Sequence, residues 1–229
     1  MSREFARRLA QQAIERGSPL EWFEELYEAA LKEGIDRIPW ADSRPNPNLV
    51  EWLDRNGTTG CGRRALVVGC GLGDDAEELA RRDFAVSAFD VSKSAIAIVA
   101  RRFPNTSVKY LVGDLFSPPS AWQAAFAFVL EAYTLQVIPP AMRGNAARCL
   151  ASFVAPGGQL LLIARARDEW ERLGTIPWPV SRPELSILLE CGLDEALFED
   201  YVDGETPPVR RFRALYRSRQ CRESAASGA

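Results

Sequence analysis

Three glycines at alternate positions follow a short apolar run in residues 65–73, Ala-Leu-Val-Val-Gly-Cys-Gly-Leu-Gly. An apolar run bounded by glycines is typical of a buried parallel strand. Gly69, Gly71 and Gly73 permit a tight turn and let a ligand lie against the backbone, where a Cβ would collide with it. A helical pattern opens at Asp74, so the free N–H groups of its first turn face the same space. The segment predicts a cradle for a nucleotide-like cofactor.

Acidic residues end three further predicted strands, at Asp90, Asp114 and Glu131. In an open parallel sheet, ligands bind outside the carboxyl ends of the strands. Asp90 follows Gly69 by roughly twenty residues, the spacing at which a carboxylate reaches ribose hydroxyls. A carboxylate suits this role because it accepts two hydrogen bonds from a diol. The alternatives are structural: Asp90 as a helix cap, and Asp114 as part of a turn.

Composition narrows the class of protein. The 229 residues are 47% hydrophobic and 26% charged, with a net charge of −3, which argues against nucleic acids and anionic membranes as partners. No apolar stretch approaches the length of a spanning helix, and the charged N-terminus is unlike a signal peptide. The five cysteines are scattered and form no C-x-x-C pair, so we expect reduced thiols in a cytoplasmic protein.

The chain contains no histidine. This excludes the usual Ser-His-Asp and Cys-His nucleophilic arrangements, and every histidine-ligated metal site. We expect no metal. Any chemistry must proceed without an imidazole base.

The rhythm of apolar residues predicts an α/β protein with a helical N-terminal extension. We expect one domain over residues 1–229, with a helical cap at 1–60, a core at 61–220 and a flexible tail at 221–229. Alternating strands and helices imply right-handed crossovers and a parallel sheet, which a terminal antiparallel hairpin extends. The predicted helices are 3–16, 19–33, 48–55, 74–82, 93–103, 140–153 and 182–190, and the predicted strands are 65–69, 85–90, 107–112, 125–131, 159–164, 195–202 and 209–217.

Two motifs lie beside this pattern: Ile38-Pro-Trp-Ala-Asp-x-x-Pro-Asn-Pro, and Glu131-Ala-Tyr-Thr-Leu-Gln-x-Ile-Pro-Pro-x-Met-Arg143. With the glycine loop, the strand-end carboxylates and the terminal hairpin, the chain resembles class I S-adenosylmethionine-dependent methyltransferases. Within that class it is similar to the thiopurine S-methyltransferase-like and halide/thiol methyltransferase branch. The resemblance covers about residues 62–218. It implies a Rossmann-like, doubly wound, mostly parallel sheet of seven strands.

The resemblance also implies roles for the cofactor-binding residues. Gly69, Gly71 and Gly73 would pass beside the methionine part of S-adenosylmethionine, and Asp90 would hold the ribose. Val91, Asp114 and Leu115 would border the adenine. Trp40 would cover the sulfonium, whose charge an indole face attracts, unless it is only an anchor for the N-terminal helices.

Two departures from the family pattern concern the ends of the ligand site. Val67 stands where many class I enzymes carry an acid, so the amino end of the cofactor must rely on backbone carbonyls or on Asp75. Glu131, at the end of a predicted strand, is a further candidate contact for the cofactor. Ala132 stands where thiopurine enzymes have a substrate-contacting arginine, which argues against a thiopurine acceptor.

The acceptor is expected to be a small molecule with a sulfur or selenium nucleophile. Methyl transfer from a sulfonium is an in-line displacement that needs alignment more than a strong base, and a thiol ionises near neutral pH with modest help. No residue is therefore expected to act as a catalytic base. Candidate wall residues are Tyr133, Thr134, Arg165 and Trp178, for each of which simple packing is the alternative.

Two other functions fit parts of the same pattern. A nicotinamide-dependent dehydrogenase shares the βαβ unit and the carboxylate after the second strand, but Gly73 comes one position early for Gly-x-Gly-x-x-Gly. A non-catalytic scaffold of the same fold is the second alternative. In each case we expect a monomer.

Overall fold

A twisted sheet with helices on both faces forms the centre of this computed structural model, which describes residues 2–219. The tail predicted at 221–229 lies outside the described residues. The strands are β1 (Arg64–Val68), β2 (Ala85–Asp90), β3 (Lys109–Val112), β4 (Phe126–Ala132), β5 (Val154–Arg167), β6 (Val180–Ser181), β7 (Leu193–Val202) and β8 (Arg210–Ser218). The helices are α1 (Ser2–Glu15), α2 (Glu21–Glu33), α3 (Pro47–Arg55), α4 (Asp74–Arg81), α5 (Lys93–Arg102), α6 (Pro140–Phe153) and α7 (Ile187–Glu190).

Seven strands follow one another in the order β3-β2-β1-β4-β5-β8-β7. The first five are parallel, β8 is antiparallel to β5, and β7 is antiparallel to β8. This confirms the predicted Rossmann-like sheet with its antiparallel end. The two-residue β6, which the sequence did not predict, pairs with the end of β5.

Alternate residues of β1 feed two apolar layers. Ala65 and Val67 pack with residues of α3 and α4, whereas Leu66 and Val68 pack with residues of α6. All four are at most 3% exposed. Burial on both faces explains why this strand is a continuous apolar run rather than an alternating one. In the sheet, β1 lies between β2 and β4, so its end, where the glycines begin, is flanked by both strands.

One carboxylate of the N-terminal helices is hydrogen-bonded to the start of α5. Glu24 of α2 accepts hydrogen bonds from the Ser92 hydroxyl (2.7 Å), the Ser94 hydroxyl (2.8 Å) and the Ser94 N–H (3.2 Å). Ser92 is itself the N-cap of α5 and accepts from the Ala95 N–H at 3.0 Å. A carboxylate at the start of a helix is favourable because the orphan N–H groups and the helix dipole are positive there. The contact lies directly after Asp90, at the predicted cofactor site.

Two elements differ from their predicted form. The strand predicted at 159–164 belongs to the longer β5, which also includes Pro156-Gly-Gly, where pairing with β4 shifts register. Gly157 has a φ of +72°, which absorbs the irregularity. The helix predicted at 182–190 is divided into a 3₁₀ turn at Pro183–Leu185 and the four-residue α7. Among residues 2–219, no helix is long and apolar enough to cross a membrane.

Candidate active site

The glycine loop joins β1 to α4 in an unusual backbone conformation. Gly69, Gly71 and Gly73 have φ angles of +62°, +51° and +88°, which L-residues with a side chain rarely adopt. A Cβ on Gly69 would lie 2.5 Å from Thr134 Oγ1, and one on Gly73 would lie 2.8 Å from Tyr110 Oη. Glycine is therefore required here by the protein's own packing as well as by any ligand.

Asp90 fixes this loop from the end of β2. Its Oδ2 accepts the Gly71 N–H at 2.9 Å, and its Oδ1 accepts the Ser92 N–H at 3.0 Å. Burial raises the pKa of the Asp90 carboxyl to about 6, although both hydrogen bonds oppose that rise. The helix-cap alternative is wrong for Asp90, because Ser92 caps α5.

The predicted adenine-binding residues lie at the ends of β2 and β3. Leu115 is 7% exposed and Val91 is 39% exposed, and both line the same cavity as Asp90. Asp114 also lines it, at the surface, and its Oδ1 accepts the Phe116 N–H at 2.9 Å. An apolar slot with a carboxylate at its edge can bind a flat heterocycle and accept from an exocyclic amine.

The segment before α3 closes the other side of the loop. Trp40 donates its indole N–H to Tyr27 Oη at 3.1 Å, and Tyr27 lies beside Gly71. Asp75, in the first turn of α4, accepts the Asn46 N–H at 2.7 Å. Burial raises the pKa of the Asp75 carboxyl to about 6. Trp40 and Asn46 both line the cavity, as does Asp75, so the N-terminal extension forms one wall of the site.

All these groups surround a single cavity of about 600 Å³. This volume falls within the range of sites for small molecules and cofactors. Twelve of the fourteen residues predicted for the site line it: Trp40, Gly69, Gly71, Gly73, Asp75, Asp90, Val91, Asp114, Leu115, Tyr133, Thr134 and Arg165. The open loop backbone, the buried Asp90 and the apolar slot together fit an adenosine with an attached amino acid.

Two guanidinium groups and an aromatic ring form the other end of the cavity. Arg211 of β8 is 1% exposed and pairs with Asp203 at 2.6 Å and with Glu205. Its Cζ lies 4.3 Å from the centre of the Tyr133 ring, a cation–π contact. Arg211 Nη1 and Arg165 Nε are buried and have no hydrogen-bond partner among the described residues. Two buried cationic donors at one wall favour an anionic ligand.

Two predicted site residues do not reach the cavity. Glu131 is fully buried behind the loop that follows β4, because its Oε1 accepts the N–H groups of Thr134 (2.7 Å) and Leu135 (2.9 Å). Trp178 packs with the apolar residues of α1 and α2. The Arg143 guanidinium also holds the Trp178 carbonyl, at 2.6 Å. The predicted cofactor contact of Glu131 and the predicted acceptor contact of Trp178 are therefore corrected.

Sequence reasoning missed Tyr27 and Arg211. Arginines and apolar residues alternate in Arg211-Phe-Arg-Ala, a pattern typical of a strand with one exposed face, whereas both faces of β8 are covered. Asp203 and Glu205, in the loop between β7 and β8, were the available signal, since both pair with Arg211. Tyr27 gave no signal beyond its place in an amphipathic helix.

The sheet order and the loop, carboxylate and slot at the strand ends define a class I S-adenosylmethionine-dependent methyltransferase. A family model, thiopurine S-methyltransferase (TPMT), matches residues 32–215. The chain belongs to this family, and it is an enzyme that methylates small-molecule acceptors from S-adenosylmethionine. No comparison supports the dehydrogenase alternative.

Two curated relatives show similarity over most of the chain. The chain is 30% identical over 163 residues to "Probable thiol methyltransferase 2" of Arabidopsis thaliana, covering 68% of this chain and 69% of that protein. It is 28% identical over 143 residues to "Thiocyanate methyltransferase 1" of Brassica oleracea, covering 60% of each.

Solved structures share the fold. The Burkholderia thailandensis 1,6-didemethyltoxoflavin-N1-methyltransferase, with bound 1,6-didemethyltoxoflavin and S-adenosylhomocysteine, matches with a TM-score of 0.66 at 17% identity, covering 86% of this chain and 88% of that one. The N-methyltransferase NodS of Bradyrhizobium japonicum, in complex with S-adenosylhomocysteine, matches with a TM-score of 0.65 at 19% identity, covering 85% and 97%.

Proposed function

We propose that this methyltransferase acts on a small anionic acceptor whose nucleophile is a thiolate. One observation carries the proposal: the buried Arg211 Nη1 and Arg165 Nε have no hydrogen-bond partner within residues 2–219, and both side chains line the cavity. Burial and the neighbouring Arg211 lower the pKa of the Arg165 guanidinium, although Glu205 opposes that effect, so an anion that accepts from Arg165 Nε would favour its charged form. The relatives named for thiol and thiocyanate methylation support the same class of acceptor.

The cofactor end of the site has a proposed role for each predicted residue. The loop at Gly69, Gly71 and Gly73 would carry the methionine part, and Asp90 would accept the ribose hydroxyls. Val91, Asp114 and Leu115 would hold the adenine. Trp40 would face the sulfonium, and Asp75 would hold the amino group. When bound, S-adenosylmethionine supplies an electrophilic methyl group on sulfur.

The protein's contribution to the reaction is alignment and acceptor ionisation. Arg165 and Arg211 would bind the acceptor as its anion, which favours the thiolate over the thiol. Tyr133 and Thr134 would form the wall that directs the nucleophile toward the methyl group, since in-line approach at about 3–3.5 Å is the main demand of this displacement. No imidazole is needed.

A comparison of acceptors tests this proposal. We expect thiophenolate and hydrosulfide to be methylated, with kcat/KM rising in proportion to the thiolate fraction as pH increases. Transfer only to neutral amines, or to phenols in preference to thiols of equal size, would show the acceptor class to be wrong. An Arg165→Met variant should raise the acceptor KM about tenfold or more, as expected for a lost charge-assisted contact. Arg148→Met, a change of an exposed arginine on α6, is the matched control.

We further propose that the 229-residue chain acts as a single-domain monomer in the cytoplasm, without a nucleic-acid or membrane partner. In this arrangement residues 1–60 form the cap over the core at 61–220. The cysteines at 61, 70, 149 and 191 are all free thiols, which supports a reducing compartment. Sedimentation of the purified protein would test the monomer, and a dimer would contradict it.

A further inference from the structure

Tyr133 is held in a strained backbone position at the acceptor end of the cavity. It directly follows β4 and has a φ of +70°, in the left-handed region that tyrosine rarely occupies. Strain of this kind persists only where surrounding contacts over-determine the conformation. The ring of Tyr133 forms the face on which the Arg211 guanidinium rests. Whatever fixes Tyr133 therefore also fixes one of the two proposed acceptor-binding cations.

The hydroxyl of Tyr133 is occupied by the protein on both sides. It accepts a hydrogen bond from Asn48 Nδ2 at 2.8 Å and donates to Asn46 Oδ1 at 3.4 Å. Burial raises the pKa of this phenol, although the nearby Arg211 opposes the rise. Tyr133 therefore meets the acceptor as a ring, and its hydroxyl is the point by which it is held.

Asn48 is fixed from the opposite side by the terminal hairpin. Its side-chain Oδ1 accepts a hydrogen bond from the Tyr201 hydroxyl at 2.9 Å, and its carbonyl accepts from Arg213 Nη1 at 2.8 Å. The side chain is 8% exposed. Both ends of the amide are thus committed, one to Tyr201 and one to Tyr133. Asn48 is a buried bridge between β7 and the loop after β4.

The same segment reaches the cofactor end. Asn46 caps α3 by accepting the Asn48 N–H at 3.0 Å, and its own N–H is held by Asp75 at 2.7 Å. Pro47 lies between the two asparagines at the first position of the helix, where its fixed φ suits the helix start. The position of Asn48 relative to α4 is therefore set by a short and rigid piece of chain.

We propose that Asn48 is a positioning residue for the methyl acceptor, which acts by holding the Tyr133 ring against Arg211. The kinetic test of this proposal rests on the proposed function, because it measures kcat/KM for the acceptor. The proposal predicts that the Asn48–Tyr133 hydrogen bond matters for the acceptor and not for the cofactor, because Asp90, the proposed ribose contact, is held by the N–H groups of Gly71 and Ser92 instead.

A double-mutant cycle tests this role. Asn48→Leu and Tyr133→Phe each break the same hydrogen bond, so each should lower kcat/KM for the acceptor by about tenfold, and the double variant by about tenfold rather than a hundredfold. The Kd for S-adenosylhomocysteine should stay within about twofold of the wild-type value throughout. Multiplying effects, or equal losses for acceptor and cofactor, would reduce Asn48 to a general structural residue and overturn the proposal.

Tyr201→Phe is the matched control. It removes the other hydrogen bond of the same Asn48 side chain, so it should lower the melting temperature as Asn48→Leu does and leave the acceptor KM within about twofold. If Tyr201→Phe raised the acceptor KM as much as Asn48→Leu does, the proposal would be contradicted. Loss of either hydrogen bond of the Asn48 side chain would then have the same effect on the acceptor.

A crystal structure of Asn48→Leu separates this proposal from the choice of acceptor. If the wild-type enzyme methylated no thiolate, the proposed function would fail, and the cycle would be run with the acceptor that it does use. The structure of the variant should still show the Tyr133 ring displaced from Arg211. A ring that keeps its place would overturn the positioning role, whichever acceptor the enzyme takes.

Discussion

The carboxylate of Asp90 accepts the backbone N–H of Gly71 at 2.9 Å, so this side chain joins the end of β2 to the turn after β1, next to the Cys70 N–H that donates to the Phe89 carbonyl. The other oxygen of Asp90 holds the Ser92 N–H. The same side chain that is proposed to bind ribose therefore also shapes the loop beside it. Loss of this carboxylate should affect the cofactor twice, through a lost contact and through a looser turn.

Replacing Asp90 with alanine should weaken S-adenosylhomocysteine binding by about 1.5–3 kcal/mol, the usual worth of hydrogen bonds to a charged group. Isothermal titration of the cofactor product would measure this. Asp194→Ala, at an exposed carboxylate of β7 that pairs with Arg219, should leave affinity unchanged. Wild-type affinity in Asp90→Ala would mean that the ribose binds elsewhere.

A methyl group on Gly71 should destabilise the protein itself. The φ of +51° costs an alanine about 1–2 kcal/mol, and its Cβ would lie 2.8 Å from Tyr27 Oη. In a Tyr27→Phe background the nearest atoms are Trp40 Nε1 at 3.9 Å and Cζ of residue 27 at 4.0 Å, both ordinary contacts. We therefore expect the double variant to lose less free energy of unfolding than the sum of the two single variants.

Urea unfolding of all four proteins would measure this difference. Additive losses would show that Tyr27 moves away without cost, and that the loop alone needs the glycine. Substitution of Gly71 is accordingly an unsuitable way to block cofactor binding in a protein that stays folded.

The sheet and the cofactor end of the site could be predicted from the sequence because their signals lie within short segments of the chain. Gly69, Gly71 and Gly73 directly follow a strand, and Asp90 ends the next one, so periodicity and turn chemistry suffice to place them on one edge. Nine of the ten residues predicted to bind the cofactor line one cavity. The same logic failed for Glu131, because the direction of a strand-end carboxylate depends on the following turn, whose N–H groups draw it inward.

The acceptor end could not be predicted in the same way, because its contacts join distant parts of the chain. Tyr201 and Asn48 are 153 residues apart, and Asn48 and Tyr133 are 85 apart. The packing of α3 on the sheet brings Asn48 to Tyr133, and the pairing of β7 and β8 beside β5 brings Tyr201 to Asn48. A period-two pattern distinguishes two faces of a strand, but it does not show that a loop covers the second face of β8 and buries Arg211.

The contact of Glu24 with α5 should hold the N-terminal helices in place. The pKa of Glu24 is lowered: burial would raise it, but the hydrogen bonds from Ser92 and Ser94 outweigh that effect. Glu24→Gln keeps the shape and loses the charge, so we expect about 1–2 kcal/mol less resistance to opening of α1 and α2. Hydrogen exchange of the amides in α2 would measure the opening.

Glu28→Gln is the control for this change. Glu28 lies one turn further along α2, and its pair with Lys32 is exposed, which makes it of little consequence for stability. Equal exchange in both variants would show that α2 is held by its apolar face alone. Faster exchange only in Glu24→Gln, together with weaker cofactor binding, would link the docking of the cap to the site beside Asp90.

The buried carboxyl of Glu131 should give the protein a pH-dependent stability. Burial raises its pKa from 4.5 to about 7, although the hydrogen bonds that it accepts from two backbone N–H groups oppose this rise. Its Oε2 has no hydrogen-bond partner among the described residues. A raised pKa means that the folded protein holds a proton that the unfolded chain releases. The stability from this group is therefore fully present below about pH 4.5 and is lost as pH rises through about 7.

Glu131→Gln removes that titration and keeps the acceptor oxygen for Thr134 and Leu135. As pH increases from 5 to 8, the free energy of unfolding of the variant should rise relative to that of the wild type by on the order of 2–3 kcal/mol. Urea titrations at the two pH values would measure the difference between the proteins, which cancels the contributions of Asp75 and Asp90 because both proteins contain them. Glu190→Gln, at an exposed position on α7, should show no such gain. A constant difference between wild type and Glu131→Gln at both pH values would mean that Glu131 stays ionised in its buried position, with the Arg143 charge compensating for burial.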